Sequence, residues 1–391
     1  MRSHLPRFAN NAIAFFVAGV FLVGCSSSGS QVAPAGPMQQ NAVPSDLDTN
    51  AAKGAAFPTT TYTYFDLGPG PNGKDAYGYG ESPNAQAGAY FDHTISCGKA
   101  CSAKVYYPLA WSGPSSSPVV LLPQNYVEGW AYGAGGSLIV GTLITNDGGY
   151  FGFPHAALWQ GSSHTFTDLN PSGSCGSCSP GSNAYDTDGT YIAGYSGSPQ
   201  HAFLWKLGQL NAPVDLNPAG YSNSEAYVVR GTTQAGWAFS STTNSYHAVL
   251  WHGTAASVVD LTPSTTSSAE ATGLGSKSQV GCGTLVGMSV THALLWHGTA
   301  ASMKDLQPSG FTDSCARAAH GNVQVGYGHF TANSLHALLW KGSAKTAVDL
   351  QQYLPNTFTS SEAYAIDPAG DILGSAYSTT TATWHAVIWH P

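Results

Sequence analysis

His247-Ala248-Val249-Leu250-Trp251, with Asp260-Leu261 thirteen residues after the histidine, decides the fold of this chain because it recurs. The block His-Ala-x-Leu/Ile-Trp begins at His155, His201, His247, His292, His336 and His385, at spacings of 46, 46, 45, 44 and 49. A degenerate copy, Tyr107-Pro-Leu-Ala-Trp111, lies 48 residues before His155. Asp-Leu follows at Asp168, Asp215, Asp260, Asp305 and Asp349, and Val120-Leu121 takes that place in the degenerate copy. A fixed period of this length is the signature of stacked supersecondary units.

Two further landmarks recur. An alanine opens an apolar stretch at Ala76, Ala131, Ala184, Ala226, Ala271, Ala316 and Ala363. A glycine lies ten residues on at Gly141, Gly194, Gly236, Gly281 and Gly326; the step is 11 to Gly374 and 12 to Gly88. Each unit therefore holds four short β-rich runs between turn residues. In the fourth unit they are 225–230, 234–239, 246–251 and 257–261, here strands a, b, c and d. Units of about 45 residues with four strands match propeller blades. The expected fold is all-β, a seven-bladed β-propeller of four-stranded antiparallel blades. The last unit stops at Trp389-His390-Pro391 without strand d, and an orphan run, Thr59 to Leu67, ends in Asp66-Leu67 before the first unit. That N-terminal strand is expected to close the ring, which removes open sheet edges.

Ala363-Tyr-Ala-Ile-Asp-Pro-Ala-Gly-Asp-Ile-Leu-Gly374, followed by His385-Ala-Val-Ile-Trp389, resembles the HAF extracellular repeat family over about residues 60–391. Only His201-Ala-Phe-Leu-Trp205 keeps the Phe common in that family, and after the Asp-Leu at 168, 215, 260 and 305 Asn, Thr or Gln then Pro replaces the Gly. The resemblance implies an exported β repeat and no particular activity.

The first 25 residues read as a targeting segment. Arg2 and Arg7 precede an apolar run of twelve, Ala12 to Val23, too short for a confident membrane span. Leu22-Val-Gly-Cys25 resembles a lipobox, which implies lipid attachment at Cys25; Ser26 in place of Asp implies the outer membrane, facing the periplasm or the cell surface. Residues 26–59 are Ser, Ala, Pro, Gln and Gly without periodicity and read as a flexible tether. The propeller then occupies 60–391. Only 9% of residues are charged, and losing Arg2 and Arg7 takes the formal charge from −8 to about −10, so no basic patch points to nucleic acid.

Seven of the ten Trp fill one repeat position. Burying about 150–250 Å² each is worth about 4–6 kcal/mol gross per ring, so they are expected between blades. The periodic His and Asp are expected to form structural hydrogen bonds. A metal site is disfavoured, since equivalent positions lie a blade apart, roughly 10 Å, and zinc needs nitrogens at about 2 Å.

Segment length varies on one side only. The b–c and d–a connections, which share a face, differ from unit to unit, whereas a–b and c–d are nearly constant. Variable loops on one face mark a binding face. Aromatic residues crowd the b–c side, among them Tyr195, Trp237 and Tyr327, and suit a glycan or protein ligand as well as ordinary loop packing. Asp75, Glu225, Glu270 and Glu362 directly precede the strand-a alanine and are expected around the channel mouth on that face, where they would meet a cation or accept backbone hydrogen bonds.

Removing Cys25 leaves six cysteines, an even number suited to an oxidising compartment. Cys97 and Cys101 fall in the longest b–c loop, Cys175 and Cys178 in the longest d–a loop, and Cys282 and Cys315 on neighbouring units. Local bridges and a Cys282–Cys315 link are expected. A redox Cys-x-x-Cys at 175 and 178, or a zinc site made from the two loop pairs, are the rival readings. No Gly-x-Ser-x-Gly elbow, His-Glu-x-x-His or nucleotide loop occurs. The expected function is thus a non-catalytic, monomeric binding or scaffold module held to a membrane by lipid, with no cofactor. The alternatives are an extracytoplasmic propeller enzyme acting on polysaccharide, a hydrolase or lyase, and a purely structural envelope protein.

Overall fold

The computed structural model describes residues 61–96, 102–114, 116–147, 150–171, 181–331 and 334–391. Cys25, the segment 26–59, Cys97, Cys101, Cys175 and Cys178 lie outside the described residues. Among the described residues no helix is long and apolar enough to cross a membrane.

Seven four-stranded antiparallel sheets follow one another as blades. Their strands a are Ala76–Ser82, Tyr126–Gly135, Ser182–Thr187, Asn223–Arg230, Thr266–Leu274, Asp313–His320 and Phe358–Ile366. Blade seven takes its outer strand from the N-terminus: Thr63–Gly68 pairs with Thr383–His390, Thr63 opposite His390 and Gly68 opposite Ala386. The ring is closed by that strand. Strand d is shorter than its sequence pattern suggests. In blade four it is only Val259–Asp260, preceded by a 3-10 turn at Ala255–Ser257.

The core consists of seven apolar clusters, one per blade interface, each holding one of the periodic Trp. Trp159 and Trp389 also donate their indole N–H to Leu121 O and Leu350 O of the preceding blade, at 2.9 and 3.1 Å. Flat rings thus hold sheet to sheet.

Histidine and aspartate tie strand c to strand d. Nδ1 of His155, His201, His247, His292 and His336 lies 2.7–2.8 Å from the Asp168, Asp215, Asp260, Asp305 and Asp349 carboxylates. A carboxylate only accepts, so Nδ1 carries the proton. The other oxygen accepts the N–H two residues on, as Asp260 does from Thr262 at 2.8 Å. The sixth pair, His385 with Asp66 at 2.9 Å, joins the two chain ends.

A second relay runs between blades. The N–H following four of the six histidines donates to a serine two residues before the next blade's landmark alanine: Ala156 to Ser182, Ala202 to Ser224, Ala293 to Ser314 and Ala337 to Ser361, at 2.9–3.0 Å. At the blade four–five interface Ala269 occupies the serine position, and Thr262 Oγ1 accepts from Ala248 N instead, at 2.9 Å.

Candidate functional site

Strand a of every blade carries a β-bulge one residue past the landmark. A bulge inserts an unpaired residue and re-aims its side chain. Here the bulged residues are Tyr79, Tyr132, Tyr185, Tyr227, Thr272, Arg317 and Tyr364, and all but one are large. Ring centroids run Tyr364–Tyr79 5.4 Å, Tyr79–Tyr132 5.9 Å, Tyr132–Tyr185 5.9 Å and Tyr185–Tyr227 5.2 Å. The Arg317 guanidinium, 5.9 Å from the Tyr364 ring, brings the belt round toward Thr272. This belt circles the propeller axis. The Ala-Tyr dipeptide recurring at 131–132, 184–185, 226–227 and 363–364 is its sequence signal, which the landmark alanine alone does not carry.

The bulge corrects the register of blade one. Gly78, not Ala76, lies opposite Gly88, so the alanine-to-glycine step of 12 is really the ten-residue step of the other units. Asp75 is consequently not equivalent to Glu225, Glu270 and Glu362; Tyr77 is. Asp75 sits three residues before its landmark, as Glu128 does in blade two. Asp75 Oδ1 accepts the Trp384 N–H at 3.0 Å, and Glu128 Oε1 accepts the Tyr106 N–H at 3.1 Å. Both carboxylates clasp strand c of the preceding blade, a role that nothing in the sequence around Glu128 announced.

Glu225, Glu270 and Glu362 lie on the b–c side of the belt, directly before their landmark alanines. Glu225 and Glu270 are buried, not exposed at a mouth. Tyr185 Oη donates to Glu225 Oε2 at 3.0 Å across the blade three–four interface, and Tyr364 Oη donates to Glu362. Trp237 Nε1 donates to Tyr227 Oη at 2.7 Å. Burial pushes the Glu225 carboxyl up to about 7 against these hydrogen bonds, and pushes Glu270 well above the usual carboxylate range despite Arg317. Burial raises Glu362 as well. Arg317 Nη2 also donates to Tyr327 Oη at 3.1 Å, its Cζ 5.1 Å from that ring. Cys282 of strand b in blade five and Cys315 of strand a in blade six form a disulfide next to this cluster, as their positions on neighbouring units suggested.

The aromatic residues named from the sequence divide by depth. Tyr195 is buried at 3% exposure and Trp237 at 8%, so neither ring presents itself to solvent. Tyr327 is half-buried against Arg317. The outermost ring is Tyr246, 47% exposed, standing edge-on over Trp237 at 4.9 Å. Beside it in sequence order the b–c loop of blade five carries Val286 at 62% and Met288 at 49% exposure. Among the described residues, the exposed large apolar side chains are either on outer strands (Phe65, Val119, Val120, Val214) or on the b–c side (Phe153, Tyr246, Val286, Met288, Val290). None stands on an a–b or c–d turn.

A different feature occupies the other end of the axis. On the a–b side of the belt is a cavity of about 120 Å³, with Gly80, Gly133, Gly273, Ala318 and Ala365 in its wall. Glu81 and the Asp186–Arg230 ion pair, 2.6 Å, sit toward the a–b turns. Among the described residues no group of three or more metal-ligating side chains converges.

The chain is similar in fold to the β-propeller domain of the Trilobed protease from Pyrococcus furiosus, at 8% identity and a TM-score of 0.51, covering 81% of this chain and 96% of that one. That domain is described as having an open velcro topology, whereas here the outermost strands of the chain ends pair. Weaker likenesses are TolB from Acinetobacter baumannii (12% identity, TM-score 0.42, 71% of this chain and 63% of that one) and oligogalacturonate lyase from Vibrio parahaemolyticus (9%, 0.44, 86% and 98%). At such identities the likeness shows the β-propeller fold alone. No protein-family model matches the chain, and no curated relative matches it.

Proposed function

We propose that this protein is a non-catalytic cell-envelope module that presents a rigid ring to a glycan or protein ligand on its b–c/d–a face. The observation that carries this reading is the one-sided distribution of exposed apolar side chains. Phe153, Tyr246, Val286, Met288 and Val290 all lie on the face whose loops vary in length, and the turns of the opposite face have none among the described residues. Exposed apolar groups gathered on one face mark interaction surfaces. The carboxylates that an enzyme on this axis would draw on, Glu225 and Glu270, are buried and hydrogen-bonded to tyrosines within the packing, which supports the non-catalytic reading.

The cell-envelope address rests on the lipobox-like Leu22-Val-Gly-Cys25 and on the resemblance to exported HAF repeats.

Glycan arrays and envelope-protein pull-downs with the full chain test the reading, using Tyr246→Ala and Met288→Asp against Lys345→Glu on a c–d turn. Capture should fall at least about tenfold for the first two and stay unchanged for the third. Equal capture by all three removes the b–c face as the binding surface.

A further inference from the structure

We infer that the axial cavity on the a–b side of the tyrosine belt is a second binding site, built to receive one pyranose ring. It goes beyond the b–c face reading and does not depend on it, because the two sites lie on opposite sides of the belt.

The cavity exists because of backbone constraints. A Cβ on Gly80 would lie 2.6 Å from Tyr132 O, and one on Gly133 would lie 2.7 Å from Tyr185 O. Adjacent inner strands approach so closely there that side chains are excluded, and the wall stays small. At about 120 Å³ the space is many times the roughly 10–15 Å³ that one water needs and suits one small ring entering end-on. The floor is phenolic: Tyr79, Tyr132, Tyr185, Tyr227 and Tyr364 offer ring carbon for the apolar faces of a sugar, while the Tyr185, Tyr227 and Tyr364 hydroxyls are bonded on the b–c side. Leu274 and Ile366 make the opposite part of the wall apolar.

Glu81 supplies the specific polar contact. One carboxyl oxygen accepts from Gln86 Nε2 at 3.0 Å, while the other, Oε2, is buried with no hydrogen-bond partner. A buried polar atom left unsatisfied costs about 1–3 kcal/mol, and because Oε2 is closed to solvent, a turn of the Glu81 side chain toward a ligand in the cavity would recover it. Burial pushes this carboxyl up to about 9, so at neutral pH it is an uncharged acid with an O–H to donate. Arg230, half-exposed and braced by Asp186, adds a fixed donor fork. A neutral acid and two arginines, Arg230 and Arg317, do not suit a metal cation. They suit the neutral hydroxyls of a sugar packed against aromatic rings.

Isothermal titration and saturation-transfer NMR with the full chain test the site, using glucose, galactose, N-acetylglucosamine and glucuronate at up to about 10 mM, each also as the terminal unit of a disaccharide. Binding of free sugars alone assigns a small-molecule site; binding of disaccharides as well assigns a glycan end. Glu81→Leu should weaken the bound sugar at least about tenfold and Glu81→Gln should preserve most of the affinity. Ala365→Phe, which fills the cavity, should abolish binding, with unchanged thermal unfolding of Glu81→Leu as the control for fold. Tyr246→Ala should have no effect here. Failure of every sugar to bind the wild-type chain, or undiminished binding by Glu81→Leu and Ala365→Phe, overturns the assignment and leaves the b–c face untouched.

Discussion

A Cβ added to Gly236 would lie 1.9 Å from the carbonyl oxygen of Glu225, its partner's neighbour across the a–b ladder. The same clash recurs at 1.9–2.0 Å for Gly88, Gly141, Gly194, Gly281, Gly326 and Gly374, each against the residue before the landmark. The bulge that turns Tyr227 toward the axis throws the Glu225 carbonyl onto strand b, and only a residue without a side chain fits beneath it. The periodic glycine is thus the complement of the periodic bulge. Gly236→Ala is expected to destabilise the ring by more than about 2 kcal/mol, because backbone faces backbone and neither yields cheaply. Gly220→Asn is the comparison: its φ is +90° with nothing within 4 Å, and Asn tolerates that conformation. Thermal unfolding of both variants checks the difference.

The same relationship explains what could be read without coordinates. Blade count, strand order and ring closure were legible because the Trp, His and Asp positions are set by contacts every blade repeats. The glycine could be counted, but its cause could not, since a bulge leaves no residue type of its own. Ala76-Tyr77 imitates the Ala-Tyr pair of the other blades, so blade one was read two residues out of register and Asp75 was grouped with Glu225. Burial of Glu225 and Glu270 was invisible for another reason. It is created by tyrosines of the preceding blade, some forty residues away in sequence, and no local pattern encodes it.

Closure of the ring rests on Thr63–Gly68, and Asp66 is its polar anchor: it accepts from His385 and from the Gly68 N–H, at 2.9 and 2.7 Å. Asp66→Ala leaves a nearly buried histidine donor without an acceptor. A loss of about 1–3 kcal/mol is expected, larger than for Asp215→Ala, whose partner His201 is more exposed. Hydrogen exchange should show the loosening locally, at Thr383–His390. Equal protection of that strand in wild type and Asp66→Ala would argue against the anchoring role.

The blade four–five interface offers a rescue experiment. Thr262 accepts the Ala248 N–H there because Ala269 stands where four other interfaces have serine. Thr262→Val should cost about 1–3 kcal/mol by orphaning that buried N–H. Adding Ala269→Ser to Thr262→Val restores an acceptor at the position used by Ser224 and Ser314, so the double variant should recover most of the loss. Ala269→Ser alone should change little. Denaturant midpoints for wild type and the three variants form the cycle, and additive losses would show that the serine position is not interchangeable.

Buried carboxyls should give the ring an unusual dependence on pH. Glu225 is pushed up to about 7 and Glu128 to about 8, both by burial first. Folded, each holds its proton to a higher pH than in the unfolded chain, where it ionises near 4.5. Between those values the native state binds more protons than the unfolded state, so stability falls as pH rises. The stabilising contribution is full below about 4.5 and is lost through about 7 for Glu225 and about 8 for Glu128. Glu225→Gln keeps an oxygen for the Tyr185 hydroxyl and removes the ionisation. Relative to wild type it should gain on the order of 2–4 kcal/mol between pH 5 and pH 8, seen as a flatter unfolding temperature against pH. A difference between variant and wild type that stays constant over that range would mean that Glu225 ionises in the folded ring as freely as in water, and that its contact with Tyr185 does not shield it from solvent.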